Sequence, residues 1–194
     1  MIIKKLLVHS FSLLLFFLNL NALSDEVQFF SSDIEITNNG NFLQALNSEA
    51  KLPSKKIEIK SDKARYTKSD KMLILNDNII FTDNLNDIII KSNYIDFDYN
   101  KDLIKSQGPT EIEIKNKYLI KSNEIFFDRK LNKLYGSKKK IIEDNENNTY
   151  ELFNKFNLDT KDEIIKSKKS IITDQNGNKY EFENLIINIK KNEI

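Results

Sequence analysis
From Ile57 onward, apolar and polar side chains alternate in short runs that follow one another with few gaps. The runs are Ile57-Glu58-Ile59-Lys60, Ala64-Arg65-Tyr66, Met72-Leu73-Ile74-Leu75, Ile79-Ile80-Phe81 and Asp87-Ile88-Ile89-Ile90. They continue as Ile95-Asp96-Phe97-Asp98-Tyr99, Leu103-Ile104, Glu111-Ile112-Glu113-Ile114, Tyr118-Leu119-Ile120 and Ile125-Phe126-Phe127. A period of two, carried by β-branched and aromatic residues, marks half-buried strands. Beyond the first 24 residues no window keeps an i, i+3, i+4 stripe for three turns. Phe42 to Leu52 is the one stretch that suits a short helix, ended by Pro53, and it suits a loop equally. The pattern predicts an all-β chain of more than ten short antiparallel strands.

One string recurs within the pattern: Ile59-Lys60-Ser61, Ile90-Lys91-Ser92 and Ile120-Lys121-Ser122, with a fourth copy at Ile165-Lys166-Ser167. The first three serines are 31 and 30 residues apart. A unit of strand, turn and return strand cannot bury its apolar face alone, so the copies predict one continuous β-structure. The interval from Ser122 to Ser167 is 45 residues, which breaks the period. Only four Gly and two Pro occur, so turns depend on Asn and Asp. The clearest hairpin has Gln175-Asn176-Gly177-Asn178 at its tip. Glu143 to Asn148 reads as a polar loop, and Lys138-Lys139-Lys140 as a solvated basic edge or a contact for an anionic head group.

The first residues change the picture of where this β-structure works. Met1-Ile2-Ile3-Lys4-Lys5 is a basic start, Leu6 to Leu20 is mostly apolar, and Ala22-Leu23-Ser24 is a small-x-small cleavage site. Residues 1–24 therefore read as a signal peptide and 25–194 as one exported domain. His9, Ser10, Ser12 and Asn19 interrupt the apolar stretch, which is short for a membrane span of about 20 residues. Removing this leader leaves 28 basic against 29 acidic side chains and no histidine. So balanced a chain lacks the field that holds nucleic acid. It also has no Cys, so its stability must come from core burial rather than disulfides.

Candidate chemistry is sparse. Without His or Cys, a Ser/His/Asp triad, a Cys nucleophile and a His/Cys metal site are all excluded, and no cofactor is implied. Carboxylate-pair chemistry remains formally open, but nearly all the acids alternate with apolar residues and belong on a wet face. Asp96 to Asp102 resembles the start of a calcium loop, yet Lys101 stands where Gly is needed and Gln107 where Glu is needed. The informative positions are distributed. Ile57, Ile59, Leu73, Leu75, Phe81, Ile88, Ile90, Ile95, Phe97, Ile112, Ile114, Ile120, Ile125 and Phe127 are predicted to face inward. Two sheets with such faces either interdigitate as a dry core or hold an apolar ligand, and composition does not separate the two.

A further pattern lies in the order of the motifs. Asp33-Ile34-Glu35-Ile36-Thr37, then Ile57-Glu58-Ile59-Lys60-Ser61-Asp62-Lys63-Ala64-Arg65-Tyr66, then Leu73-Ile74-Leu75-Asn76-Asp77-Asn78-Ile79 resembles the OstA/LptA-type β-jellyroll family. Later segments at Ile90 to Phe97 and Ile120 to Phe127 repeat its first half, and the likeness spans roughly residues 33–190. The resemblance implies an open-ended, slightly twisted jellyroll that takes lipopolysaccharide acyl chains in its apolar interior. It also implies a periplasmic location at or near the outer membrane, and other bridge jellyrolls as partners through edge-strand pairing. The fourteen inward positions would then be the lipid-binding residues. Within the family the chain looks most like the N-terminal periplasmic domain of LptD, given Tyr118 to Phe127, Tyr150 to Phe156 and the Asn176-Gly177 hairpin. LptD carries a large barrel after this domain, for which residue 194 leaves no room. The chain is thus expected to be either a truncated LptD-type product or a free-standing LptA-like carrier. A structural or adhesive β-solenoid is the alternative, and the broken period argues against it.

Overall fold
The computed structural model describes residues 27–188, 190, 191 and 193, so the expected leader, residues 1–24, lies outside it. The first strands are β1 (Gln28–Phe30), β2 (Asp33–Thr37) and β3 (Phe42–Leu52). Five long ones follow: β4 (Ile57–Thr67), β5 (Met72–Asp83), β6 (Ile88–Asp98), β7 (Leu103–Ile114) and β8 (Tyr118–Asp128). Then come β9 (Lys133–Gly136), β10 (Lys140–Asp144), β11 (Thr149–Leu152), β12 (Phe156–Asp159), β13 (Ile164–Thr173) and β14 (Lys179–Asn188). All fourteen belong to one sheet, and every pairing is antiparallel.

The ten runs of the sequence pattern are five strands, each bent once. In β4, β6 and β8 the inward positions step by three at the bend, from Ser61 to Ala64, Ser92 to Ile95 and the half-buried Ser122 to Ile125. In β5 and β7 they step by four, from Leu75 to Ile79 and Ser106 to Thr110. The unpaired residues between are bulges, which break the ladder and turn the strand. The two kinds of bend alternate. β5 and β7 turn through left-handed residues, Asp77 (φ 63°), Asn78 (φ 48°) and Gly108 (φ 79°). β6 and β8 turn on the repeated serine, whose Oγ bonds the backbone two residues on (Ser92 to Tyr94 O 3.2 Å, Ser122 to Glu124 O 3.1 Å). That is why Ile-Lys-Ser recurs at about 30 residues: it marks the bend of every second strand.

Bending folds the sheet along a crease into two arms. Arm one holds Ile57–Ser61, Ile79–Asp83, Ile88–Ser92, Thr110–Ile114 and Tyr118–Ser122; arm two holds the other halves of the same strands. The inner faces meet in a single core, where Phe81 of arm one lies edge-on to Phe97 of arm two at 5.6 Å. At the tips each turn rests on the next. Asn84, Tyr99, Lys115 and Arg129 donate backbone N–H bonds to the carbonyls of Lys56, Lys71, Asp87 and Asp102, all with positive φ.

After β8 the crossing strands are interrupted at the crease. β9 and β10 form one bent path broken at residues 137–139, and β11 and β12 another broken at 153–155. These two paths occupy the long interval between Ser122 and Ser167, so the chain is a jellyroll and no solenoid of constant rung. Two of its late hairpins share a device absent from the sequence reading. Asp144 and Asp174 each accept backbone N–H bonds at 2.9 Å from residues two and four positions on, and an Asn side chain at 2.9 Å.

Two expectations are corrected. Phe42 to Leu52 is strand β3 rather than a helix or loop, because β1, β2 and β4 all pair with it and it buries Ala45, Ser48, Ala50 and Leu52. Asn47, with φ 44°, bends it as the other strands are bent. Lys138 and Lys139 are exposed as a basic edge should be, but Lys140 begins β10 pointing inward and is fully buried.

Candidate functional site
The space between the arms is the candidate site, and the bent strands build it. All fourteen inward positions of the sequence reading, from Ile57 to Phe127, are buried in the one core, none more than 4% exposed. The structure adds Ile142, Leu152, Phe156, Leu158, Ile165, Leu185 and Ile187, which extend that apolar interior through the later strands. Ile142, Leu152, Phe156 and Leu158 were missed because the interrupted strands are only four or five residues long and show too little alternation. Ile165, Leu185 and Ile187 lie in the longer β13 and β14, where neighbouring apolar residues (Ile164, Ile186) blur the period of two.

The crease is polar. Ser48 and Ser61 lie 3.3 Å apart, Ser92 and Thr110 3.1 Å, and Thr110 and Ser106 3.0 Å, while Ile125 N–H donates to Ser106 Oγ at 3.2 Å. These hydroxyls satisfy backbone groups that the bulges release from the ladder. In the later strands this system is incomplete: Ser170 Oγ is buried without a hydrogen-bond partner among the described residues. Two strands away in register lies Lys140, whose ammonium bonds Lys138 O and sits 5.6 Å from the Phe156 ring. Burial lowers its pKa to about 8, against a small opposing pull from Glu124.

Opposite the crease, the mouth between the arm tips is closed by charge. Arg129, in the turn after β8, grips Asp83 of arm one through Nε (2.7 Å) and Nη2 (3.1 Å). Its Nη1 donates to Asp102 at 2.8 Å, and Nη2 also reaches Lys55 O at 3.0 Å. Lys55 pairs with Asp102 at 3.2 Å and lies over the Tyr99 ring at 4.4 Å. Further along, Lys115 of arm one pairs with Glu163 of arm two at 2.5 Å. Burial alone would push the Arg129 pKa down, but the two aspartates outweigh it and hold the guanidinium charged. The network was not anticipated, although one signal pointed to it. Arg129 is one of two arginines beside 28 lysines, and a planar fork is what a bidentate buried contact needs.

Outside the arms, a groove of about 1070 Å³ lies over the interrupted crease, lined by Phe126, Tyr135, Gly136 and Phe156 among others. Phe126 and Tyr135 stack there at 5.4 Å with Lys105 above Phe126. Among the described residues, no cluster of three or more His, Cys, Asp or Glu side chains could hold a metal ion.

Comparison with known proteins gives the arrangement a context. The family model described as "Lipopolysaccharide-assembly, LptC-related" matches residues 24–134. Among solved structures, LptH of Pseudomonas aeruginosa, the LptA-homologous periplasmic component of its lipopolysaccharide transport device, superposes with a TM-score of 0.52 at 19% identity. The match covers 60% of this chain and 86% of that one, and at this identity it establishes the shared fold. The TCP10 domain of Danio rerio CPAP reaches a TM-score of only 0.16 at 8% identity, with 81% of this chain and 99% of that one covered, and carries no argument. No curated protein matches the sequence.

Proposed function
The chain belongs to the LptC-related lipopolysaccharide-assembly family, and from that membership we propose that it carries lipopolysaccharide in the periplasm by taking the acyl chains between its two arms. The observation that carries the reading is the interior itself: an apolar seam from β3 to β14, lined on both arms and joined covalently only at the crease. Side chains from opposite arms meet there by non-directional contact, so alkyl chains entering the seam keep the same kind of surroundings. Each methylene withdrawn from water contributes about 0.8 kcal/mol.

The edges support a place in a bridge. Among the described strands β14 pairs only with β13, and apart from one bridge between Asn188 and Glu193 its other side is a template for a strand of a neighbouring jellyroll. At the opposite end β2 is exposed along its whole length, with Ile34 and Ile36 at 42% and 61%. Within the family, the strands after Tyr118 and the Asn176-Gly177 hairpin support an LptD-type periplasmic domain. Residues 1–24 serve in this proposal as the export signal.

Photocrosslinking tests the reading. Benzophenone at Ile90, inside arm one, should capture lipopolysaccharide, and benzophenone at the outward Lys91 should not. Absence of capture at Ile90 in a folded protein would refute an acyl-chain site between the arms.

A further inference from the structure
Across the mouth, three cations face three carboxylates, and the pairs Arg129–Asp83, Lys55–Asp102 and Lys115–Glu163 each join arm one to arm two. Apart from the Arg129 Nη2 bond to Lys55 O and the hydroxyls of the crease, the arms meet through the apolar side chains of the core. The two kinds of contact respond differently to an incoming amphiphile. Alkyl chains replace apolar side-chain contacts without loss, but they offer nothing to a charge pulled from its partner. Asp83 is 0% exposed and Arg129 3%, so neither has water to turn to while the tips stay closed. An anionic group carried beside the alkyl chains removes that obstacle, because it supplies the guanidinium and ammonium groups with a new partner. The freed carboxylates then gain water as the tips separate. Two leucines stand at the tips beside this pair, Leu85 on arm one and Leu131 on arm two, 61% and 60% exposed. They offer a first apolar foothold at the lips.

We propose that Arg129, Lys55 and Lys115 form an anion-exchange latch. With the interior empty they are held by Asp83, Asp102 and Glu163 and keep the arms shut. When an amphiphile enters, they transfer to its phosphate groups, and the arms part. The inference rests on the interior being an acyl-chain site and names the residues that admit and orient the ligand there.

The chain contains no cysteine, so spin labels at Leu85→Cys and Leu131→Cys report the mouth without background. Pulsed dipolar spectroscopy on the full-length protein without ligand should give one short separation. Asp83→Asn should add a second, longer population, and so should Lys115→Gln, which cuts the separate pair with Glu163 and spares the Asp83–Arg129 cluster. Unchanged separations in both variants overturn the latch, without any appeal to lipid. Purified lipopolysaccharide should move the unsubstituted latch to the longer separation. Enzymatically dephosphorylated lipopolysaccharide should need at least tenfold more, and inorganic phosphate alone should leave the distance short. Equal potency of the two lipopolysaccharides, or opening by inorganic phosphate alone, overturns the exchange. Capture at Ile90 with a mouth that never widens would sink the latch and leave the carrier reading intact. Failure of both would end both.

Discussion

The strands from β4 to β8 and those from β9 to β14 solve the same problem in different ways. In the first region each strand crosses the crease unbroken, and its bend is closed by a left-handed residue or by a serine whose hydroxyl is hydrogen-bonded. In the second, two of the crossings are cut, and among the described residues Lys140 is buried without an ion pair and Ser170 Oγ lacks a partner. The family model ends at residue 134, close to where the regular region stops. The difference teaches that the crease is the costly element of this fold. A bent sheet releases backbone groups at every bulge, and a regular hinge satisfies them locally. Where the hinge is replaced by a gap, the surroundings stay less complete, and the outer groove opens there.

Substitutions can break or sharpen that contrast. The largest effect belongs to Phe81→Ala, which empties a fully buried site in the regular region and should cost about 3–5 kcal/mol by urea unfolding. Phe156→Ala, beside the gap, should fall at or below the low end of that range; equal losses would erase the proposed difference in packing. Next is Arg129→Met, which leaves the buried Asp83 carboxylate with the bonds from Leu85 and Asn86 but no cationic partner, and should cost about 3 kcal/mol. Adding Asp83→Asn should restore most of that loss, as a double-mutant cycle would reveal.

Gly136→Ala follows. An added Cβ would stand 3.0 Å from Glu124 O and 3.1 Å from Lys140 Cε, so overpacking should cost about 1–3 kcal/mol. Gly108→Ala meets nothing within 4 Å and pays only for its positive φ, about 1 kcal/mol.

Lys140 sharpens the comparison through pH. Its folded pKa lies below the unfolded value, so between about pH 8 and 10.5 the unfolded chain binds the extra proton. Stability should therefore rise with pH across that window, and its contribution should be flat and unfavourable below it. Lys140→Met should abolish the rise and stabilise the protein at neutral pH by about 1 kcal/mol. A flat profile in the unsubstituted protein would mean that the ammonium is well compensated. Least affected is Lys121→Ala on the outer face of β8, which breaks a half-exposed pair with Glu143 and should change stability by about 0.5 kcal/mol or less.

Much of the architecture was legible along the chain. Alternation identified the strands, and the step of three at each repeated serine was already present as a gap between runs. The inward parity of the fourteen positions follows from the two-residue period, because a one-residue slip would turn every isoleucine toward water. Phe42 to Leu52 was illegible because its small buried residues, Ala45, Ser48 and Ala50, carry little hydrophobic contrast. Only its pairing with three other strands makes it one.

By itself, then, the sequence determined what depends on neighbours along the chain: strand, face, turn and the repeat that spaces the bends. Tertiary structure decided what depends on meeting across space. That two runs are one bent strand, that Lys140 is buried while Lys139 is not, and that Arg129 reaches Asp83 46 residues away all follow from how the arms close. Local patterns report the free energy of a residue against water. The ion pairs of the mouth and the gap in the crease are set by which distant groups the folded sheet brings within hydrogen-bonding reach.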